Sequence, residues 1–202
     1  MNYTLLKDET AKTWDQIVLH VNGLKDTSVL PAIKKNVEKN DEFYLTNDSF
    51  LNALFVNCAG ILVDSGWLRI LGSGNESLPA LCKIELHGLE GILVARDILG
   101  GAFLLHGQAV SYYAPDTLRW ECLDISYPTF LEWALSGKTR EFYELFRWTT
   151  WQEDVSKLKL FEGFSVYPFL FTKEGKAINS TTRKIVDLRE IDLLNDKFSQ
   201  EI

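Results

Sequence analysis

The chain has 202 residues, 46% of them hydrophobic and 12% aromatic, and a formal net charge of −7. That length allows one large domain that buries its apolar surface without disulfide staples. The acidic balance argues against a nucleic-acid binder, which carries a basic face or stripe, and suits a basic partner, because opposite potentials speed encounter.

The start, MNYTLLKDET, has neither the basic head nor the apolar body of a secretory signal. Phe50 to Val63 comes nearest to a membrane span, but Asn52 and Asn57 interrupt it. Cys58, Cys82 and Cys122 are odd in number and widely spaced. Reduced thiols fit that pattern better than a disulfide framework does, so the expected location is cytoplasmic, with no membrane contact.

In chain order, Trp14, Ile17, Val18 and Val21 fall on one face of a first helix, which Gly23 ends. Ser28 is read as the cap of a second helix, with Leu30, Ile33 and Val37 inward and Lys34, Lys35, Glu38 and Lys39 in water. Asp48 or Ser49 opens a third, carrying Phe50, Leu51, Leu54 and Phe55. From Gly60 onward the pattern changes to short β-rich runs: Ile61–Val63, Trp67–Leu71, Ile84–Leu86, Ile92–Val94, Phe103–Leu105, Tyr112–Tyr113 and Trp120–Leu123. Turn signals separate them, chiefly Asp64-Ser65-Gly66, the loop from Gly72 to Pro79, Asp97 to Gly101, His106 to Gln108, and Asp116-Thr117. No helical crossover intervenes, so the sheet is expected to be antiparallel, with about five or six strands.

Ser126 caps the next helix, with Pro128 in its first turn and Gly137 at its end. Thr139 to Arg147 places Phe142, Leu145 and Phe146 on one side. Thr150 and Glu153 form a capping box for a helix through Lys159, with Trp151, Val155 and Leu158 inward. Ser165 to Thr172 is expected to be extended, and Arg183 to Leu188 to pair as an edge strand. The expected fold is thus a single α+β domain over 1–202. Its parts are a mainly helical 1–59, an antiparallel sheet over 60–125, a helical 126–160 and an extended tail over 161–202, with N-terminal and C-terminal helices packed on the sheet.

Several strings carry a resemblance: GILVDSGWLRILGSG (Gly60 to Gly74), GILVARDILGGAFLLHG, YYAPDTLRWECL, the Trp148 to Trp151 region and YPFL. Together they resemble an uncharacterised bacterial family known only as a domain of unknown function. The string APDTLRWE (Ala114 to Glu121) is the most specific of them. A remoter similarity is to the SUKH superfamily of bacterial immunity proteins and Smi/Knr-type regulators. It rests on the rhythm of Asp97 to Phe103, Asp116 to Trp120 and Tyr127 to Leu131. That resemblance implies an α+β fold that binds another protein, and it brings no catalytic motif.

The chemistry-bearing residues favour the same direction. His20, His87, His106 and the cysteines lack the CxxC, HxxH or HExxH spacings of a metal site, so no metal or other cofactor is expected. Gly72-Ser73-Gly74 has no phosphate-loop motif around it, and Ser65, Ser73 and Ser111 sit in no GxSxG elbow. Asp97, Asp116 and Glu121 lie at strand turns, where a carboxylate commonly binds backbone amides; Arg96 and Arg119 are expected to pair with them at the surface. Most rings among Tyr112, Tyr113, Trp120, Trp133, Phe142, Tyr143, Phe146, Trp148 and Trp151 belong to the core, yet Trp and Tyr also dominate interface hot spots.

The expected function is non-catalytic binding of another protein, with Tyr112, Asp116, Arg119 and Trp120 at its centre. Two alternatives remain: a small-molecule binder or hydrolase using Asp97, His106 and Glu121 in a cleft between sheet and helices, and a homodimer joined through the aromatic face.

Overall fold

The computed structural model describes residues 3–39 and 48–200. The first helix, α1 (Tyr3–Asn22), turns its buried Ile17 and Val21 inward, as their spacing demands. After it the chain departs from expectation. Ser28 opens a strand, β1 (Ser28–Pro31), rather than capping a helix, and the helix α2 (Lys34–Lys39) begins only later. Pro31 explains the correction, since the residue before a proline is driven away from helical backbone. The helix α3 (Ser49–Asn57) starts where expected, with the Asp48 carboxylate accepting from the Phe50 amide at 2.8 Å and the Leu51 amide at 3.1 Å. Asp48→Ala is expected to cost about 1 kcal/mol in urea unfolding, as loss of an N-cap does.

Seven strands follow or flank these turns: β2 (Cys58–Val63), β3 (Leu68–Leu71), β4 (Cys82–Leu86), β5 (Leu89–Asp97), β6 (Ala102–His106), β7 (Ala109–Ala114) and β8 (Arg119–Ile125). With β1 they make one eight-stranded antiparallel sheet in the order β1-β2-β3-β5-β6-β7-β8, β4 pairing with β5 off that path. The sheet therefore exceeds the expected five or six strands. Asp64-Ser65-Gly66 does turn the chain between β2 and β3, all three residues taking positive φ.

Register sorts the side chains into two faces, because directly opposed residues point the same way. One row runs Ile61, Ile70, Ala95, Phe103, Tyr112 and Glu121 from β2 to β8. Helices cover it: Phe103 packs on Phe130 and Trp133 of α4 (Tyr127–Ala134), and Tyr112 on Phe142 of α5 (Thr139–Phe142). Ser126 caps α4 as expected, with Pro128 in the first turn. The opposite row runs Leu62, Arg69, Arg96, Ala102, Tyr113 and Trp120.

That second face is covered by the C-terminal part, which the extended-tail reading missed. Here α6 (Trp151–Val155) is shorter than expected, and the Thr150 hydroxyl donates to Asp154 at 2.8 Å instead of capping a backbone amide. Leu145, expected on one face with Phe142 and Phe146, is exposed on the short turn after α5. Next come β9 (Glu162–Tyr167) and β10 (Thr182–Asp187), an antiparallel pair separate from the main sheet. A twelve-residue helix, α7 (Leu188–Ser199), ends the described chain. Arg69 staples this part down: it is fully buried, and its guanidinium donates to the carbonyls of Leu160 and Glu162 at 2.7 Å and of Gly66 at 3.2 Å.

Candidate functional site

Of the four residues expected at the centre of a site, three share the sheet's β8 edge. A turn over Ala114 to Leu118, closed by amide bonds from Thr117 and Leu118 to the Ala114 carbonyl, carries the half-exposed Asp116. Arg119 follows, exposed at the start of β8. Trp120 is half buried, its indole donating to the His87 carbonyl at 3.2 Å and its ring meeting Tyr113 edge-on. Every residue of β8 is exposed or half-exposed, whereas its neighbour β7 is almost wholly buried. Glu121 and Asp124 also face water there, so acids outnumber the single Arg119. A bulge interrupts the pairing: Val110 opposes Ile125 and Ser111 opposes Cys122, leaving Leu123 and Asp124 over, the latter at φ 52°.

Tyr112 does not join them. It lies buried on the helix-covered face, and its hydroxyl donates to Asp97 at 3.0 Å. Asp97 is likewise buried, and serves as a turn residue in the expected manner: Oδ1 accepts from the amides of Leu99 (2.9 Å) and Gly101 (2.8 Å). Oδ2 accepts from Tyr112 and, at 3.2 Å, from Tyr143. Burial pushes the Asp97 carboxyl above the usual carboxylate range, although the amides of Leu99 and Gly101, the Tyr112 hydroxyl and the nearby Arg96 oppose the shift. Gly101 makes this possible, since a Cβ there would sit 2.0 Å from Asp97 Oδ2.

The other two members of the alternative cleft stand apart from Asp97. His106 is exposed at the far end of β6, bonded through Nδ1 to the Glu90 carbonyl at 2.7 Å, and Glu121 is exposed on β8. Phe103, Tyr112 and Phe130 fill the space between sheet and helices. A groove of about 410 Å³ lies instead among the helices, floored by Ile17, Phe50, Leu131 and Leu135 and rimmed by His20 and Glu132. Among the described residues no group of three or more His, Cys, Asp or Glu is arranged to hold a metal ion.

On the second face lies a polar cluster that the sequence reading did not assemble. Arg96, expected at the surface, is buried, and its two terminal nitrogens grip Asp192 of α7 at 2.9 and 2.6 Å. His87, at φ 49° in the β4–β5 turn, stacks on Tyr113 with ring centroids 3.8 Å apart. Its Nδ1 bonds Asp196 at 2.6 Å, and its Nε2 lies 3.6 Å from Asp192, close enough for charge attraction but long for a hydrogen bond. Burial alone would raise the Asp192 carboxyl, yet His87 and Arg96 together hold it below the usual range. The spacing of Asp192 and Asp196, four apart on one helix, was the available signal once α7 is recognised as helical.

A third polar node closes the β2–β3 turn. The buried Asp64 accepts from Thr139 at 2.8 Å and pairs with Arg147, whose guanidinium lies over the rings of Trp67 and Trp151. The Thr139 contact ties α5 to the sheet.

Two bacterial proteins described as uncharacterized are similar to this chain. It is 40% identical over 187 residues to a putative uncharacterized protein, YbfG, of Escherichia coli (strain K12), covering 84% of this chain and 85% of that one. An uncharacterized protein of Haemophilus influenzae is 33% identical over 167 residues, covering 75% of this chain and 70% of its own length. A family profile matches residues 4–191, nearly the whole chain. The chain therefore belongs to the family described as protein of unknown function DUF2625.

Proposed function

We propose that this protein is a non-catalytic cytoplasmic module that binds another protein, and that it takes an extended, basic segment of that partner along the β8 edge. The observation that carries this reading is the exposure of β8, the last strand of the sheet order, beside a buried β7. A terminal strand offers unpaired backbone groups, to which an extended segment adds by main-chain hydrogen bonds. Asp116, Glu121 and Asp124 supply charge complementary to a basic segment, and the half-buried Trp120 supplies an anchor. The remote SUKH-like rhythm of Asp97 to Phe103 and Asp116 to Trp120 agrees with an immunity-like role. Free cysteines at Cys58, Cys82 and Cys122 support a reducing compartment, and no helix among the described residues is long and apolar enough to cross a membrane.

The test is affinity capture from native lysate with the wild type beside an Asp116→Lys, Glu121→Lys variant, followed by hydrogen exchange on the reconstituted complex. The expected result is a stoichiometric basic protein held roughly tenfold more weakly by the variant, with new protection over Arg119 to Cys122. Protection elsewhere on the surface, with affinity unchanged by the reversal, overturns the assignment of the edge. If light scattering finds a stable homodimer whose exchange protection falls on β8, the occupant is a second copy and the heterologous partner is wrong.

A further inference from the structure

We infer that the recess on the sheet formed by Arg96, His87 and Tyr113 is a phosphate-binding site, which α7 fills with its own carboxylates and must leave for phosphate to enter. The inference is independent of the β8 edge, and begins from which groups point into the recess. The three sheet-side residues are 6% exposed (Arg96), 1% exposed (Tyr113) and, for the His87 side chain, 2% exposed. Arg96 and Tyr113 stand in one register row with only Ala102 between them. A small residue at that point leaves space between two long side chains about 10 Å apart at their backbones, two strand spacings.

Apart from the Gly100 carbonyl, 3.5 Å from a terminal nitrogen of Arg96, what the sheet presents there is a donor or can become one, and the close acceptors come from α7. Asp192 takes the two terminal nitrogens of Arg96, and Asp196 takes Nδ1 of His87. This use is incomplete. Arg96 Nε, His87 Nε2, the Tyr113 hydroxyl and Nδ2 of the neighbouring Asn195 are all buried without a hydrogen bond among the described residues. Buried polar groups left unmatched are costly, so a cluster of them marks a set of groups shaped for some other partner. Two planar carboxylates on a rigid helix cannot reach every donor. A tetrahedral group with three or four oxygens can take Arg96 side-on through Nε and a terminal nitrogen while reaching His87 Nε2 and the Tyr113 hydroxyl.

The cover is suited to displacement. Leu188 and Ile191 are its buried apolar anchors, with Phe198 packed on Phe169 and Phe171 near its end, while Leu193 and Leu194 point outward, Leu193 being 70% exposed. The charged contacts of Asp192 and Asp196 hold the middle of the helix between these anchors, and a competing anion replaces them like for like. Binding of phosphate and closure of α7 are then mutually exclusive, and each weakens the other by the same factor.

The probe is inorganic phosphate, with O-phosphoserine and succinate in parallel, on the full chain. An Asp192→Asn, Asp196→Asn variant lacks the internal competitor and is expected to bind phosphate about tenfold more tightly than the wild type, since affinity rises with the open fraction. Should that variant fail to fold, Asp196→Asn alone serves, because Asp196 is 45% exposed. In the wild type, saturating phosphate is expected to speed amide exchange across α7 and leave α4 unchanged. Arg96→Lys should abolish the phosphate response. Equal effects of inorganic phosphate and O-phosphoserine point to a free anion; a response to O-phosphoserine alone points to a phosphorylated side chain on a partner. Phosphate affinity that is unchanged by removing the α7 carboxylates, a response that persists in Arg96→Lys, or an equal response to succinate overturns the proposal.

Discussion

Asp97→Ala is expected to destabilise the protein by about 3–5 kcal/mol, a loss of the size seen when a buried hydrogen-bond network is broken. The substitution strands four donors at once, the amides of Leu99 and Gly101 and the hydroxyls of Tyr112 and Tyr143. It also unties the β5–β6 turn from the helix-covered face, because Tyr143 follows α5. Asp97→Asn keeps an acceptor for the amides, and the tyrosine hydroxyls can accept as well as donate, so it should lose only about 1–2 kcal/mol. The comparison has a sign in pH. Burial raises the folded-state carboxyl above its unfolded value, so the native state holds the proton more tightly. Wild-type stability relative to Asp97→Asn should therefore be greatest in acid and fall as pH rises from the ordinary carboxylate range through the folded value. Urea unfolding across that range reads both effects. A loss under about 1 kcal/mol for Asp97→Ala would mean that the tyrosine hydroxyls are satisfied without it.

Arg69→Ala is expected to cost about 3–4 kcal/mol, and to act on a different boundary. Its guanidinium bridges the β2–β3 turn, at Gly66, to the chain entering β9, at Leu160 and Glu162. Burial lowers the pKa of Arg69 to about 10, so the group stays charged at neutral pH and its hydrogen bonds are charge-assisted. Without it the two β9-side carbonyls lose their donor beneath a cover that no aliphatic side chain can replace. Arg69→Lys should recover little, since one ammonium on a flexible stem cannot reproduce the fork. Exchange measurements should show β9, β10 and α7 opening before the main sheet in the variant. Uniform opening, with the C-terminal part no looser than β5 and β6, would count against Arg69 as the staple.

Much of the fold was legible in the chain. Seven of the eight main-sheet strands show as short apolar runs, because Asp64-Ser65-Gly66, Asp97 to Gly101 and Asp116-Thr117 punctuate them with residues that turn the backbone. The missing strand, β1, was hidden behind a helix-like spacing of Leu30, Ile33 and Val37, with Pro31 as the overlooked contrary signal. The helix α7 also left a trace: Leu188, Ile191, Asn195 and Phe198 repeat at helical spacing behind the capping carboxylate of Asp187. Asn195 broke its apolar character and Leu193-Leu194 blurred its face. The site is a different matter. Whether Tyr112 or Tyr113 faces the helices depends on register, and a shift of one residue exchanges them. The pairing of Arg96 with Asp192 spans 96 positions and requires α7 to lie across the second face. No local pattern encodes such a contact.

The bulge in β8 limits the edge that this strand can offer to further copies of the chain. A flat terminal strand seven residues long would template its own copies into stacked aggregates. Leu123 and Asp124 spoil the ladder partway along it, and Asp124 and Glu121 bring like charges together if two such strands approach. The undistorted run from Arg119 to Cys122 spans only about 13 Å at the usual rise per residue. The same irregularity that shortens the edge thus guards against runaway polymerisation.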